Sequence, residues 1–551
     1  VSRLQMLVDR GLDPRELEFL ACFSLATMKS RFTPPWKEAS ALWCKCYSKL
    51  PGESWRHMEP LLNKSLQSKL SGGQLSGHGQ GETNAGNDGP DSISMKTNSI
   101  STTARKRKTM VDVPSEPKKT KVEQKDSAPL VIEFQVLGTQ IETVSYWETV
   151  PQEAKGGTEA LALHLQLLKT LDGDCTALKD HSRHFLRDVF VPTSVMGDFI
   201  ARSTADKLLL AQVRLVEKLG GLRVCKQYEM EDPGLEQATR DSILRTMKRT
   251  SAELQTSAVR AFLASRSQLD SAKGLLLSLC GDQSFRESIT LLSSSFSELV
   301  KGSEAFRAEL IQVLVRILFG KVNQKKEAQK QRRKVCLRFM AENFLPGDIA
   351  SYVELGLEPM AMQGDQFLAK LSTPAARGSL GLKLNIDGNV AVMMGVLNST
   401  LGVVQELGVF LDEALWDRVA NIVGLICTFA YERSSENEQH NPYRKDLRTQ
   451  SVKALAEILR KNPRAGVPGL VDHLLDVTED GIRRLQVSGD RAPALPLLLS
   501  SMSEDPKLLQ ESILRRPFTA RSVFSLLESD TTNPESASKV LDFSLRVLSL
   551  R

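Results

Sequence analysis

At 551 residues the chain exceeds the roughly 250–300 that one compact core reaches, and with 41% hydrophobic but only 6% aromatic residues it suits helix-on-helix packing better than a β-rich core. Lysine and arginine number 72 against 66 aspartates and glutamates, a net charge of +6, which excludes a surface made for nucleic acid along its whole length and leaves only local contact. Eight cysteines scattered from Cys22 to Cys427 argue against a disulfide framework and for a reducing compartment.

Residues 1–70 group their apolar positions at helical spacing, as in LEFLACFSLATMKSRF, between breakers at Asp13-Pro14, Pro34-Pro35 and Pro51-Gly52. That pattern predicts short paired helices of a repeat. Cys44-x-Cys46 with His57 nearby lacks the second close ligand pair of a structural zinc site, so the cysteines are expected in the core. Residues 71–128 turn to Gly, Ser, Asn and Thr, too little apolar material to offset the entropy of ordering, and are expected to form a disordered linker. Within them Arg105, Lys106, Arg107 and Lys108, then Lys118, Lys119 and Lys121, form basic clusters of the kind a nuclear import receptor binds in extended chain. Residues 129–156 open with PLVIEFQVLGTQIETVSYW, whose β-branched and aromatic residues read as a short strand or an extended arm.

From 157 to 431 helical periodicity is nearly continuous. LLLAQVRLVEKL, LQTSAVRAFL and LRTQSVKALA place Val213-Arg214, Val259-Arg260 and Val452-Lys453 among matching apolar offsets, and the step from Val213 to Val259 is close to a HEAT period of ~40–47 residues. The prediction is an all-α, HEAT-type α-solenoid of stacked antiparallel helix pairs with a long disordered insertion. His181-x-x-His184 could share a helical face and is expected to be a polar surface pair.

The stretch LVRILFGKVNQKKEAQKQRRKVCLRFM, 314–340, sets two apolar helical segments around a basic run. Gly320-Lys321 is no phosphate-cradling loop, because Val315 stands where the first glycine belongs and Val322 where a Ser or Thr must follow. The run reads as a connector that could extend the second helix. Its Lys321, Lys325, Lys326, Lys330, Arg332, Arg333 and Lys334 are opposed by Glu327 alone, so they are expected to reach outward together, to RNA phosphates or an acidic partner segment. Arg332 and Arg333, nearest the helical flank, are expected to pair with carboxylates of a neighbouring repeat. Residues 432–446, which include ERSSENEQHNPYR, read as a polar loop, and 447–551 return to helical repeats.

No apolar run reaches the ~18–20 residues that span a bilayer, since the longest, AVMMGVLNSTLGVVQELGVFL, is interrupted by Asn398, Ser399, Thr400, Gln405 and Glu406. A chain opening on Val1-Ser2 and closing on a helical pattern reads as an internal piece of a larger protein. HExxH, GxSxG, a Gly-rich loop between strand and helix, and a recognisable carboxylate pair are absent from the sequence, so no enzyme, metal, cofactor or small-molecule substrate is expected.

The stretch LCGDQSFRESITLLSSSFSELV, followed by FRAELIQVLVRILFGKVNQKKEAQKQRRKVCLRFM, resembles the down-regulated-in-metastasis (DRIM) family, the very large HEAT-repeat component number twenty of the small-subunit processome. The matching residues are Asp282, Phe285, Arg286 and Glu287, then Arg316, Ile317, Leu318, Phe319 and Gly320, then Arg332, Arg333, Val335 and Leu337. Phe319 stands where the family usually has Tyr. VSRLQMLVDRGLDPRELEFLACFSLATMKSRFTPPW and DLRTQSVKALAEIL also resemble parts of it, while the linker and the C-terminal repeats are less well covered. The resemblance implies a non-catalytic scaffold of the nucleus and nucleolus. Its implied partners are processome proteins, pre-rRNA and the U3 small nucleolar ribonucleoprotein; the basic clusters add an import receptor, and no membrane partner is expected. On fold alone the alternative is a karyopherin-like transport adaptor, but such solenoids are acidic, to bind basic cargo signals, and this chain is net basic.

Overall fold

A computed structural model describes residues 2–29, 33–71, 157–173, 175–196, 202–265, 267–301, 303–323, 329–371, 390–432, 442–466, 469–483, 494–528 and 534–550. They belong to one unit made of residues 1–73 and 156–551. Every regular element among them is helical.

The helices are, in order, α1 (Ser2–Asp9), α2 (Pro14–Lys29), α3 (Trp36–Lys49), α4 (Pro51–Ser71), α5 (Gly157–Gly173), α6 (Arg202–Lys218), α7 (Leu235–Met247), α8 (Ala252–Leu263), α9 (Lys273–Cys280) and α10 (Phe285–Leu299). There follow α11 (Glu304–Val322), α12 (Gln329–Asn343), α13 (Pro346–Leu357), α14 (Ala361–Leu371), α15 (Val390–Leu407), α16 (Glu413–Glu432), α17 (Pro442–Lys461), α18 (Leu470–Arg483), α19 (Ala494–Met502), α20 (Pro517–Phe524) and α21 (Pro534–Ser549). Short helical turns between Cys175 and Met196 link α5 to α6.

Packing sorts these helices into two layers of a solenoid. One layer runs α5, α6, α8, α9, α10, α12, α15, α17, α19, α21, each against the next; the other runs α7, α11, α13, α16, α18, α20. Pairs such as α7 with α8, α11 with α12 and α16 with α17 tie the layers together. Val213, Val259 and Val452, the residues aligned across the repeats, are all fully buried, and the helices of the first two pack directly on each other.

Local chemistry explains the starts. Asp13 accepts from the Glu16 amide at 2.8 Å while Glu16 accepts from the Asp13 amide at 3.0 Å, a reciprocal cap around Pro14. Ser251 and Ser303 cap α8 and α11 by accepting from Leu254 and Phe306 amides at 3.4 and 3.2 Å. Two expectations need correction. The loop placed at 432–446 is shorter, because α17 begins at Pro442, where the missing proline N–H would have been unpaired in any case. In addition, Val392–Phe410, at mean hydropathy 1.3, is long and apolar enough to cross a membrane on length and composition. Here α15 packs on α12, α13 and α17, the environment of a core helix.

The histidines also differ from a surface pair. His181 stacks on Trp55 with centroids 4.1 Å apart and planes 4° apart, and His184 lies 2.8 Å from Asp188 and 3.5 Å from Glu59. His57 bonds Glu18 at 2.9 Å, and burial pushes the Cys46 thiol up to about 12, which makes it an inert core residue.

His164 is buried in a polar chain. Its Nδ1 lies 2.9 Å from the Ser65 hydroxyl, which also bonds the Leu62 carbonyl. Its Nε2 lies 3.4 Å from the Gln212 amide, which donates to Thr193 at 3.1 Å. Burial disfavours the charged ring and lowers the His164 pKa to about 4. The unfolded chain therefore binds this proton first, so the stabilisation is complete above pH ~6.5 and is lost as pH falls to about 4, a change of roughly 3 kcal/mol from this one site. Thermal unfolding of His164→Asn should show a shallower loss over that window than the parent; parallel pH profiles would refute the assignment.

Candidate partner interface

Near its C-terminal end α11 presses on the turn between α7 and α8. A Cβ on Gly320 would stand 2.5 Å from the Arg249 carbonyl and 2.3 Å from Gln255 Nε2. Gln255 fills this crossing by donating to the carbonyls of Met247 and Ile317 at 3.0 and 3.2 Å.

The next residue, Lys321, is drawn inward. Its ammonium donates to the Cys280 carbonyl at 2.6 Å, at the C-terminal end of α9 where the helix dipole favours a cation, and to Asp282 Oδ1 at 2.9 Å. The same Asp282 oxygen accepts from Arg332 Nη1 at 3.1 Å, and Arg332 Nη2 reaches the Asp282 carbonyl at 3.3 Å. Arg332 also lies 5.3 Å from the Phe285 ring centroid, and Arg286 donates to Gln331 at 3.2 Å. Asp282 thus staples the α9–α10 turn to both α11 and α12.

This geometry corrects the outward-reaching ridge at Lys321, whose side chain is 0% exposed. A cation in a basic run suggests a solvated side chain, but the helical phase of Lys321 places it on the stripe of Leu314, Ile317 and Leu318, all buried. Arg332 is half-buried and held by Asp282. Arg333 points a weak bond of 3.5 Å at the Val322 carbonyl and lies along α15 beside Gly402. Lys334 is exposed on α12, and Lys330 stands in the first turn of that helix. Lys325 and Lys326 lie outside the described residues, as do the clusters Arg105, Lys106, Arg107, Lys108 and Lys118, Lys119, Lys121, the linker 71–128 beyond Ser71, and the arm at 129–156.

A second feature was not foreseen. Helices α7, α11 and α13 line a groove of about 950 Å³. Arg245 and Lys248 share Glu358 at 3.8 and 2.9 Å, Arg307 is held by Asp348, Arg418 meets Glu354 at 2.8 Å, and Arg240 lies 3.9 Å from Glu309. Arg316, half-buried on α11, donates to the Gln312 carbonyl at 2.8 Å and forms no ion pair within 4.0 Å among the described residues. Burial lowers its pKa, against the pull of Glu358 and Asp241. The one available signal was its place in the RILFG stretch; the other walls come from segments distant in sequence.

No curated protein matches the chain. The family described as U3 small nucleolar RNA-associated protein 20, N-terminal, matches residues 234–551, which take in the groove helices, the Asp282 staple and every later repeat. With more than half its length inside that match, the chain belongs to the U3 small nucleolar RNA-associated protein 20 family, in the family's N-terminal region.

Proposed function

We propose that the chain is a non-catalytic scaffold of the small-subunit processome, of the DRIM type, acting in the nucleolus. It supports U3-dependent pre-rRNA processing and small-subunit assembly by holding proteins and pre-rRNA along its solenoid. The observation that carries this reading is the family match over 234–551, on a fold whose stacked helix pairs offer an extended binding surface. In this reading the clusters at Arg105–Lys108 and Lys118–Lys121 engage an import receptor.

The RNA contact falls to the connector lysines that the staple leaves out: Lys325, Lys326 and Lys330, with Lys334 one helical turn beyond. A Lys325, Lys326, Lys330→Glu triple variant of the full chain should keep its helicity and lose less than about 0.5 kcal/mol per site. Crosslinking to pre-rRNA should fall, and the dependence of log affinity on log salt should flatten by about 2 for single-stranded RNA. Unchanged crosslinking together with normal entry into the particle would sink the proposal.

A further inference from the structure

We infer that the groove between α7, α11 and α13 is a docking site for a peptide segment of a partner protein, which places an aspartate or glutamate carboxylate on Arg316. Five of the six cations on the groove wall already face a carboxylate within 4.0 Å, from Arg240 near Glu309 to Arg418 against Glu354. Arg316 is the sixth. Its guanidinium is held by one neutral carbonyl, although a planar fork of five N–H donors is built for two parallel bonds to a carboxylate. Half-buried, and with no carboxylate within 4.0 Å, it feels only the longer-range attraction of Glu358 and Asp241, and an incoming carboxylate at hydrogen-bond distance would offset its lost hydration.

The rest of the wall selects the class of ligand. Ala308, Ile311, Val315, Ala350 and Leu355 give the groove apolar strips that suit the side chains of a peptide. The six cations of the wall are matched by six carboxylates, Asp241, Glu304, Glu309, Asp348, Glu354 and Glu358, so the groove has no excess positive charge to draw a polyanion, while Arg316 has a place for one carboxylate. The volume of about 950 Å³ is of the size that takes a short peptide rather than a helix-sized domain. Peptide docking in this groove does not depend on the connector lysines touching RNA.

The test uses the full chain and an array of synthetic nonapeptides with systematically varied flanks, each carrying a central Glu and paired with its Gln twin. A subset of Glu peptides should bind at least about ten-fold tighter than their twins, the worth of one charge-assisted bond pair. Arg316→Gln should abolish that preference with thermal unfolding unchanged. Ser351→Trp, on an exposed groove-lining position of α13, should block the bound subset by filling the groove, and it decides the matter alone if the Arg316 variant does not fold. The proposal is overturned by equal binding of Glu and Gln twins, by a preference that survives Arg316→Gln or Ser351→Trp, or by a short single-stranded RNA that binds the groove in place of the peptides.

Discussion

Gly221→Ala should destabilise the protein by about 3 kcal/mol or more, enough to lower the unfolding temperature by several degrees. The residue follows Gly220 in the turn after α6, and both carry positive φ, 88° and 63°. In that region an L side chain costs roughly 1–2 kcal/mol by itself. The larger part comes from α8, because a Cβ on Gly221 would stand 1.9 Å from the Ala261 carbonyl oxygen and 3.0 Å from its carbon. Backbone cannot swing aside as a side chain can, so the turn must lift off α8 and uncover Leu222, which is buried there. Gly220→Ala is the internal control, since its Cβ would meet nothing within 4 Å. It should show only the conformational part, about 1 kcal/mol. Thermal unfolding followed by circular dichroism compares them directly, and equal losses would mean that α8 does not press on the turn as described.

The architecture was readable because its signals are local. Asp13-Pro14, Pro51 and Gly157 each mark the start of a helix, and the Val213 and Val259 positions recur because each repeat must bury the same face. Local signals also misled. Pro442-Tyr443-Arg444 reads as part of a polar loop, yet Pro442 opens α17, since proline interrupts a helix interior but not its first turn. The basic run at 321–334 reads as one outward ridge fixed only at Arg332 and Arg333, whereas Lys321 lies seven residues after Leu314 on the buried stripe; the carboxylate expected for Arg332 is Asp282, fifty residues upstream. His184 looked like a surface group because the carboxylate of Glu59 comes from another segment of chain. The groove around Arg316 was out of reach for the same reason: Arg240, Arg316 and Arg418 meet only after three repeats have stacked.

The staple itself yields the sharpest energetic contrast. Asp282→Ala should cost about 2 kcal/mol, below the range for an ion pair buried on both sides. The Lys321 ammonium is 0% exposed while Asp282 is 54% exposed, so the carboxylate can be deleted without a large cavity, and the ammonium is left to hydrate only through the gap that Asp282 vacates. Lys321 would keep only the Cys280 carbonyl, and Arg332 would lose its bond to the same oxygen. Lys321→Met should be milder, about 1 kcal/mol, because it removes the buried charge and replaces it with an apolar chain of similar length while Asp282 retains Arg332. The double variant should therefore cost less than the two single changes together, with a coupling of about 1–2 kcal/mol. Additive losses would show that Lys321 and Asp282 do not act as a pair. Lys321→Met should also leave RNA crosslinking unchanged, since a cation enclosed between α9 and α11 offers nothing to a phosphate, and that outcome separates the staple from the connector lysines that follow it.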